Sequence, residues 1–320
     1  MAHLGKTEDP PAQSRHPRRR RLKRPAIWFC RALGHLPFLF DTQERLLWIL
    51  RNRFDRPGIP FDIAFRGYRY RGDTGDVIDC NAYYFGAFEW WVVMLLDDLV
   101  RRLAGASGKP VLYDIGANTG HHSLYVASEV KRIYAFEPYE PALKKFRERI
   151  ALNGLSQIEL LPVGLGDEDG EANYYAPATD NRGTGSFLAA TSLLNSRTAI
   201  GLPVIRGDRA VEEKGLLPPD IIKLDVEGSE KLVLRGLAET IRRHRPVILG
   251  ELLSAGRWLF KDEAGLRAEL YPDCVLLEVA RRRPIRGYRL RRFDFATSEQ
   301  FLCVPRERAG ELGLGRFAAD

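Results

Sequence analysis

The sequence predicts an α/β fold built on a largely parallel sheet, and three observations carry that expectation. From about residue 110 onward, short apolar runs alternate with stretches of helical periodicity, the pattern of successive βαβ units. The first of these runs ends in a glycine-rich turn, Asp114-Ile115-Gly116-Ala117-Asn118-Thr119-Gly120, that opens a helix. The next run ends in an acidic residue, Glu137, which lies 23 positions after Asp114.

The elements follow in order. Residues 1–24 hold eight basic residues against two acidic ones and supply six of the seven net positive charges. A tail of that composition buries too little apolar surface to fold, so residues 1–25 are expected to be disordered. The body beyond it is balanced, 41 basic against 40 acidic residues, and the basic isoelectric point therefore does not describe a nucleic-acid surface. No run of 18 apolar residues occurs; the nearest approach, Ala26 to Leu50, is broken by Arg31, His35, Asp41, Glu44 and Arg45, so neither a membrane span nor a secretory leader is expected. Residues 26–105 read as an N-terminal cap, with a hairpin-like stretch from Phe65 to Cys80 and an apolar helix through Trp90 to Val100.

The main domain, residues 106–320, opens with a strand over Val111 to Gly116, then a helix over His122 to Ser128 and a second strand over Ile133 to Glu137. Pro141 suits a first helical turn, Ala142, Phe146 and Ile150 form a core stripe, and Asn153-Gly154 stops that helix. Ile158 to Leu165 reads as a third strand. Residues 166–210 lose the rhythm and read as an insertion shaping a pocket, with one short strand at Tyr174-Tyr175. Ile221 to Val226 resumes the pattern, Ser229 is placed to cap a helix carrying Val233, Leu237 and Ile241, and Val247 to Leu253 is a fifth strand. Cys274 to Val279 and Gln300 to Val304 close the sheet. The four cysteines, Cys30, Cys80, Cys274 and Cys303, have neither metal-ligand spacing nor the density of a disulfide scaffold, and reduced thiols in a cytoplasmic protein are expected. Arg281 to Arg292 is rich in arginine without an acid, either a solvated strand face or a site for an anionic group.

A glycine turn at a strand end is where an open α/β sheet binds nucleotide-like ligands. The carboxylate of Glu137, one strand over, is placed to accept both ribose hydroxyls of an adenosine. The dinucleotide fingerprint GxGxxG is not met, because Asn118 and His121 stand where the second and third glycines belong, and Asp114 would repel a pyrophosphate. A carboxylate there suits a ligand with cationic ammonium and sulfonium groups.

The runs DIGANTG (114–120), AFEP (135–138), LPVGLGDEDG (161–170), DIIKLDVEGSEKLVLRG (220–236) and RPVILGEL (245–252), in this order, resemble the FkbM-type S-adenosylmethionine-dependent methyltransferases. The resemblance covers roughly residues 75 to 255. It implies a class I methyltransferase sheet, Rossmann-like, of seven strands with the last one antiparallel, S-adenosyl-L-methionine as cofactor, and O-methylation of a small molecule, sugar or glycan. With the chemistry of the turn, it gives Asp114, Gly116, Asn118 and Gly120 to the methionine end, Glu137 to the ribose and Asp167 to the adenine amine. His121-His122 departs from the family's aromatic or aliphatic residues.

Asp225 and Glu227, at the end of the fourth strand, and Glu251, at the end of the fifth, are candidates to take the proton of an acceptor hydroxyl. The same three carboxylates are alternatively a divalent-cation site. His121 and His122 are further candidate bases. Lys223 shares a strand face with Asp225 and is expected to pair with a neighbouring carboxylate, while Glu89 resembles a position closing over the site. Two rival functions remain: a basic module for RNA or anionic lipid, with peripheral membrane contact through the N-terminus, and an NAD-dependent oxidoreductase.

Overall fold

The computed structural model describes residues 24–36, 45, 58–105, 108–175, 199–283 and 285–318. Residues 1–23 of the basic tail and the middle of the 166–210 insertion lie outside the described residues, while residues 24 and 25, expected in the disordered tail, begin a helix. Helix α1 (Arg24–Gly34) precedes a hairpin, β1 (Pro60–Phe65) and β2 (Tyr68–Asp73), and helices α2 (Val77–Phe85) and α3 (Trp90–Leu103). The hairpin sits five residues earlier than the sequence pattern suggests, because Arg66 and Gly67 take positive φ values of 53° and 86° to make its turn. The stretch read as its second half is helical from Val77, started by the Asp76 carboxylate, which accepts from the amides of Ile78 and Asp79.

The central sheet runs β5 (Ile158–Leu161), β4 (Arg132–Phe136), β3 (Val111–Ile115), β9 (Ile221–Leu224), β10 (Val247–Glu251), β13 (Gln300–Pro305), β11 (Cys274–Arg281) and β12 (Tyr288–Arg292). The first five of these are parallel, and β13 lies antiparallel between β10 and β11. The sheet thus has eight strands rather than seven. The additional one is β12, the arginine-rich return of a hairpin, which pairs with β11 alone at the edge. The single third strand expected at 158–165 divides at Pro162: β6 (Gly164–Gly166) leaves the main sheet and joins β8 (Ala199–Arg206) and β7 (Gly170–Tyr175).

Alternate residues of each central strand face opposite layers. Leu112, Ile133, Ile221 and Leu249 enter a core with α3, α4 (His121–Val126) and α5 (Glu140–Asn153), and this core also takes Phe61, Phe65 and Tyr70 of the β1–β2 hairpin. Tyr113, Phe136, Ile222 and Ile248 enter the other, beneath α6 (Gly207–Glu213), α7 (Glu230–Gly236), α8 (Ala238–His244), α9 (Ser254–Phe260) and α10 (Glu263–Glu269). Among the described residues no helix is long and apolar enough to cross a membrane.

A buried polar cluster joins the two halves of the first core. Arg149 of α5 is 1% exposed; it reaches Asp79 at 2.5 Å, lies 4.0 Å over the Tyr70 ring and donates to the Thr119 carbonyl at 2.7 Å. Lys145 adds contacts of 3.0 and 2.9 Å to Asp76 and Asp79. The cluster therefore anchors α2 and the hairpin to the back of the glycine turn.

Candidate active site

The loops that follow β3, β4, β9 and β10 meet at one edge of the sheet and enclose a cavity of about 280 Å³. Its tightest joint is Gly116, at φ 78°, where a Cβ would fall 1.8 Å from the Asp225 carbonyl oxygen; glycine is what lets the β9 loop approach the β3 turn. Asn118 follows at φ 51°, a left-handed conformation that asparagine tolerates, and its amide donates to Glu137 Oε2 at 2.9 Å. Glu137 Oε1 accepts from the Tyr139 amide at 2.8 Å, so both carboxylate oxygens are fixed by backbone. Burial, aided by the charges of Asp114 and Asp225, nevertheless outweighs those two bonds and pushes the Glu137 carboxyl up to about 7.

Asp114 is fully buried behind this turn and is not on the cavity wall. One of its oxygens accepts from Ser123 Oγ at 2.6 Å; the other has no hydrogen bond and faces Lys223 Nζ at 3.6 Å. Gly120 packs against the Phe146 ring, and Asp167 lies in the turn after β6; both are outside the wall as well. Gly116, Asn118 and Glu137 line it, as do Asp225, Glu227, Glu251 and His122.

The acidic side is organised around one lysine. Lys223 Nζ sits 3.0 Å from Asp225 Oδ2, the pairing anticipated from their shared strand face. Burial disfavours its ammonium, but Asp225 and Asp114 outweigh that and hold its pKa above the ordinary lysine value. Burial likewise works against the Asp225 carboxylate, and Lys223 holds it below the usual range. For Glu251 and Glu227 the balance falls the other way: burial and then the charge of Asp225 push them up to about 11 and about 9. The protonated Glu251 hydrogen-bonds Asp225, and its Oε1 accepts from Gln300 at 3.2 Å. One oxygen from each of Asp225, Glu227 and Glu251 lies within 4.8 Å of the others. Ser229 makes no capping bond; Glu230 instead accepts from the Gly228 amide at 2.9 Å.

His122 has its Nε2 3.5 Å from Glu89 Oε2 on the cavity wall. His121 also reaches the wall, but its Nε2 accepts from the Phe88 amide at 3.0 Å, it packs 5.1 Å from the Phe65 ring, and burial drives its pKa well below the ordinary value. That bond and the low pKa leave it poorly suited to take a proton.

Two features of the site were not foreseen, a convergence of strained backbone and the place of Tyr174 on the wall. Glu89, at φ 48°, and Glu227, at φ 54°, join Asn118 in the left-handed region, so three strained residues converge on one cavity, a pattern common at functional sites. Tyr174, whose ring lies tilted 5.1 Å from that of Tyr139, completes the wall beside Leu165 and Glu137. Only its β-forming doublet with Tyr175 was visible in the sequence.

A family model described as the methyltransferase FkbM domain matches residues 114–275, just over half of the chain. The hexuronic acid methyltransferase AglP of Haloferax volcanii is 27% identical over 154 residues, 48% of this chain and 60% of the relative. The 2-O-methyltransferase NoeI of Sinorhizobium fredii is 26% identical over 149 residues, 42% of this chain and 60% of the relative. The chain thus spans less than two thirds of either relative. Among solved structures, an FkbM methyltransferase from Methylobacillus flagellatus KT aligns with a TM-score of 0.40 at 18% identity, covering 61% of this chain and 43% of that one.

Proposed function

This chain belongs to the FkbM methyltransferase family, and on that premise we propose that it transfers a methyl group from S-adenosyl-L-methionine to a hydroxyl of a sugar or other polyhydroxylated acceptor. The observation that carries the reading is the single cavity in which Glu137 and the 116–119 turn face Asp225, Glu227 and Glu251. The residues suit the cofactor: each Glu137 oxygen accepts one backbone amide and keeps a further acceptor site for a ribose hydroxyl, and the unpaired Oδ1 of Asn118, with the acidic wall, suits a cationic amino-acid moiety. Leu165 and Tyr174 supply an apolar face for the adenine, with Asp167, in the turn beyond, as the acceptor for its amine. When bound, the cofactor supplies an electrophilic methyl group on a sulfonium centre.

Asp225 is the group we assign to the acceptor's proton. Lys223 keeps it ionised, Glu251 orients it through a shared proton, and Glu89 with His122 faces it from the cap side. In the alternative, the oxygens of Asp225, Glu227 and Glu251, within 4.8 Å of one another, gather a divalent cation and shed their extra protons to do so. Val77, Ile78, Phe88 and Glu89 bring residues 58–103 onto the cavity as a cap over the acceptor. The free thiols suit a reducing cytoplasmic setting.

Calorimetric titration with S-adenosylhomocysteine tests the cofactor: wild type should bind and Glu137→Ala should lose about a hundredfold in affinity, as expected for removing a buried charge-assisted contact. A folded wild type that does not bind sinks the reading. Asp225→Asn should keep that binding and lose methyl transfer, and proton release on adding magnesium would move the assignment to the cation.

A further inference from the structure

A second and larger cavity, about 600 Å³, lies away from the carboxylates, between α3, the β11–β12 hairpin and the turn before the C-terminal helix α11 (Gly315–Ala318). Its rim is cationic: Arg102, Arg282, Arg286, Arg289 and Arg316 line it, and Asp98 is the one acidic residue among them. Asp98 is engaged, because its carboxylate accepts from the Tyr288 hydroxyl. Among the described residues none of these five arginines makes an ion pair. The floor is apolar, formed by Leu95, Leu99, Leu302 and Leu314.

Two of the arginines are held by carbonyls and a ring rather than by acids. Arg286 donates to the Gly34 carbonyl and lies 4.6 Å over the Trp90 ring, which fixes its guanidinium while its Nε stays buried without a partner. Burial lowers its pKa to about 10, as expected where a guanidinium leaves water with nothing opposite it. Arg102 is directed by a 3.3 Å bond to the Leu312 carbonyl. Arg282 and Arg289 project from exposed positions of the hairpin.

We propose that this groove binds an anionic amphiphile, a molecule with one phosphate or carboxylate head on an apolar chain. Guanidinium groups meet such oxyanions through paired, charge-assisted hydrogen bonds. Leucines beneath the rim give the chain a surface to leave water on, which a free inorganic anion does not need. An acidic protein partner would meet the same rim but would not require the leucine floor, and a second copy of this chain offers the groove another arginine face.

The test uses the full chain and does not depend on methyl transfer. Dodecyl phosphate, titrated below its micelle concentration, should bind saturably, while dodecyl maltoside and inorganic phosphate should each bind at least about tenfold more weakly, since each lacks one half of the recognition. Arg282→Glu combined with Arg289→Glu should weaken dodecyl phosphate by about tenfold or more, two reversed charges at close range being worth that much. S-adenosylhomocysteine binding, measured on the same double variant, should be unchanged and shows that it is folded. Equal binding of the maltoside, equal binding of inorganic phosphate, or an unchanged affinity in the folded double variant overturns the proposal. So does binding to anionic vesicles without binding to the monomeric amphiphile.

Discussion

Helix α3 separates two regions of opposite chemistry. Glu89 at its N-terminus faces the carboxylate cavity, and Arg102 near its C-terminus lines the arginine groove. Each end carries the charge that complements the helix macrodipole, acid at the positive end and base at the negative one. The regions differ in how they hold charge. In the cavity, carboxylates are buried around one lysine and three residues are in strained backbone; in the groove, four of the five arginines are exposed, on helix, strand and the hairpin turn. Buried acids answer crowding by keeping protons, whereas arginine has no such recourse and waits for an anion. The first arrangement suits moving a proton and the second suits holding an anion.

The strongest way to break the cavity alone is to remove its anchor. Arg149→Met leaves Asp79 buried without its guanidinium and frees the Thr119 carbonyl at the back of the turn. Losing one partner of a buried pair costs about 3–5 kcal/mol, so denaturant unfolding should show a fall of that order. Lys145 remains beside Asp79 and sets the lower end of the range. An unchanged midpoint would mean that the cap and the turn are not coupled through this cluster.

The two regions should also separate with pH. Glu137, Glu227 and Glu251 have folded pKa values raised above the ordinary 4.5, to about 7, about 9 and about 11. Between 4.5 and those values the folded chain holds protons that the unfolded chain releases, so their contribution to stability declines as pH rises through that window. Thermal unfolding followed from pH 6 to pH 9 should show a falling midpoint, and Glu227→Gln should flatten the slope by about one proton's worth. Arginine does not titrate there, and dodecyl phosphate binding, once its own second ionisation is complete, should stay level. A slope untouched by Glu227→Gln would mean that the Glu227 carboxyl is not held protonated by its surroundings.

The cavity was far more legible in the sequence than the groove, for a physical reason. Gly116 is demanded by a backbone approach, Glu137 by its place one strand over, and Asp225 and Glu251 by the ends of apolar runs; each is fixed by local chain geometry that leaves a trace in spacing. What spacing did not reveal depends on long-range packing. Arg149 sits beside the apolar stripe of its helix and meets Asp79 from 70 positions away, and Tyr174 reached the wall through a small sheet formed largely within the 166–210 segment. The groove needed three distant segments, so the sequence showed its arginines without its leucine floor. Pro162, easily read through as part of a strand, divides two sheets because it cannot donate to the ladder.

The smallest expected effect bears on whether the two regions act on one molecule. With Asp225 ionised and other acids close by, an acceptor carrying its own carboxylate in the cavity meets repulsion that a neutral sugar does not. At about 7 Å and an effective dielectric near 20 this is about 2 kcal/mol before screening, so methyl transfer to a neutral glucoside should exceed that to the matching uronate by about tenfold at low salt. The gap should narrow as salt is added. Met94 in the groove follows Glu89 in the cavity by only five positions, about 8 Å of helix. If the uronate is preferred instead, and Arg282→Glu with Arg289→Glu removes that preference, the carboxylate of the acceptor is being held in the groove, and attachment and chemistry are two ends of one substrate site.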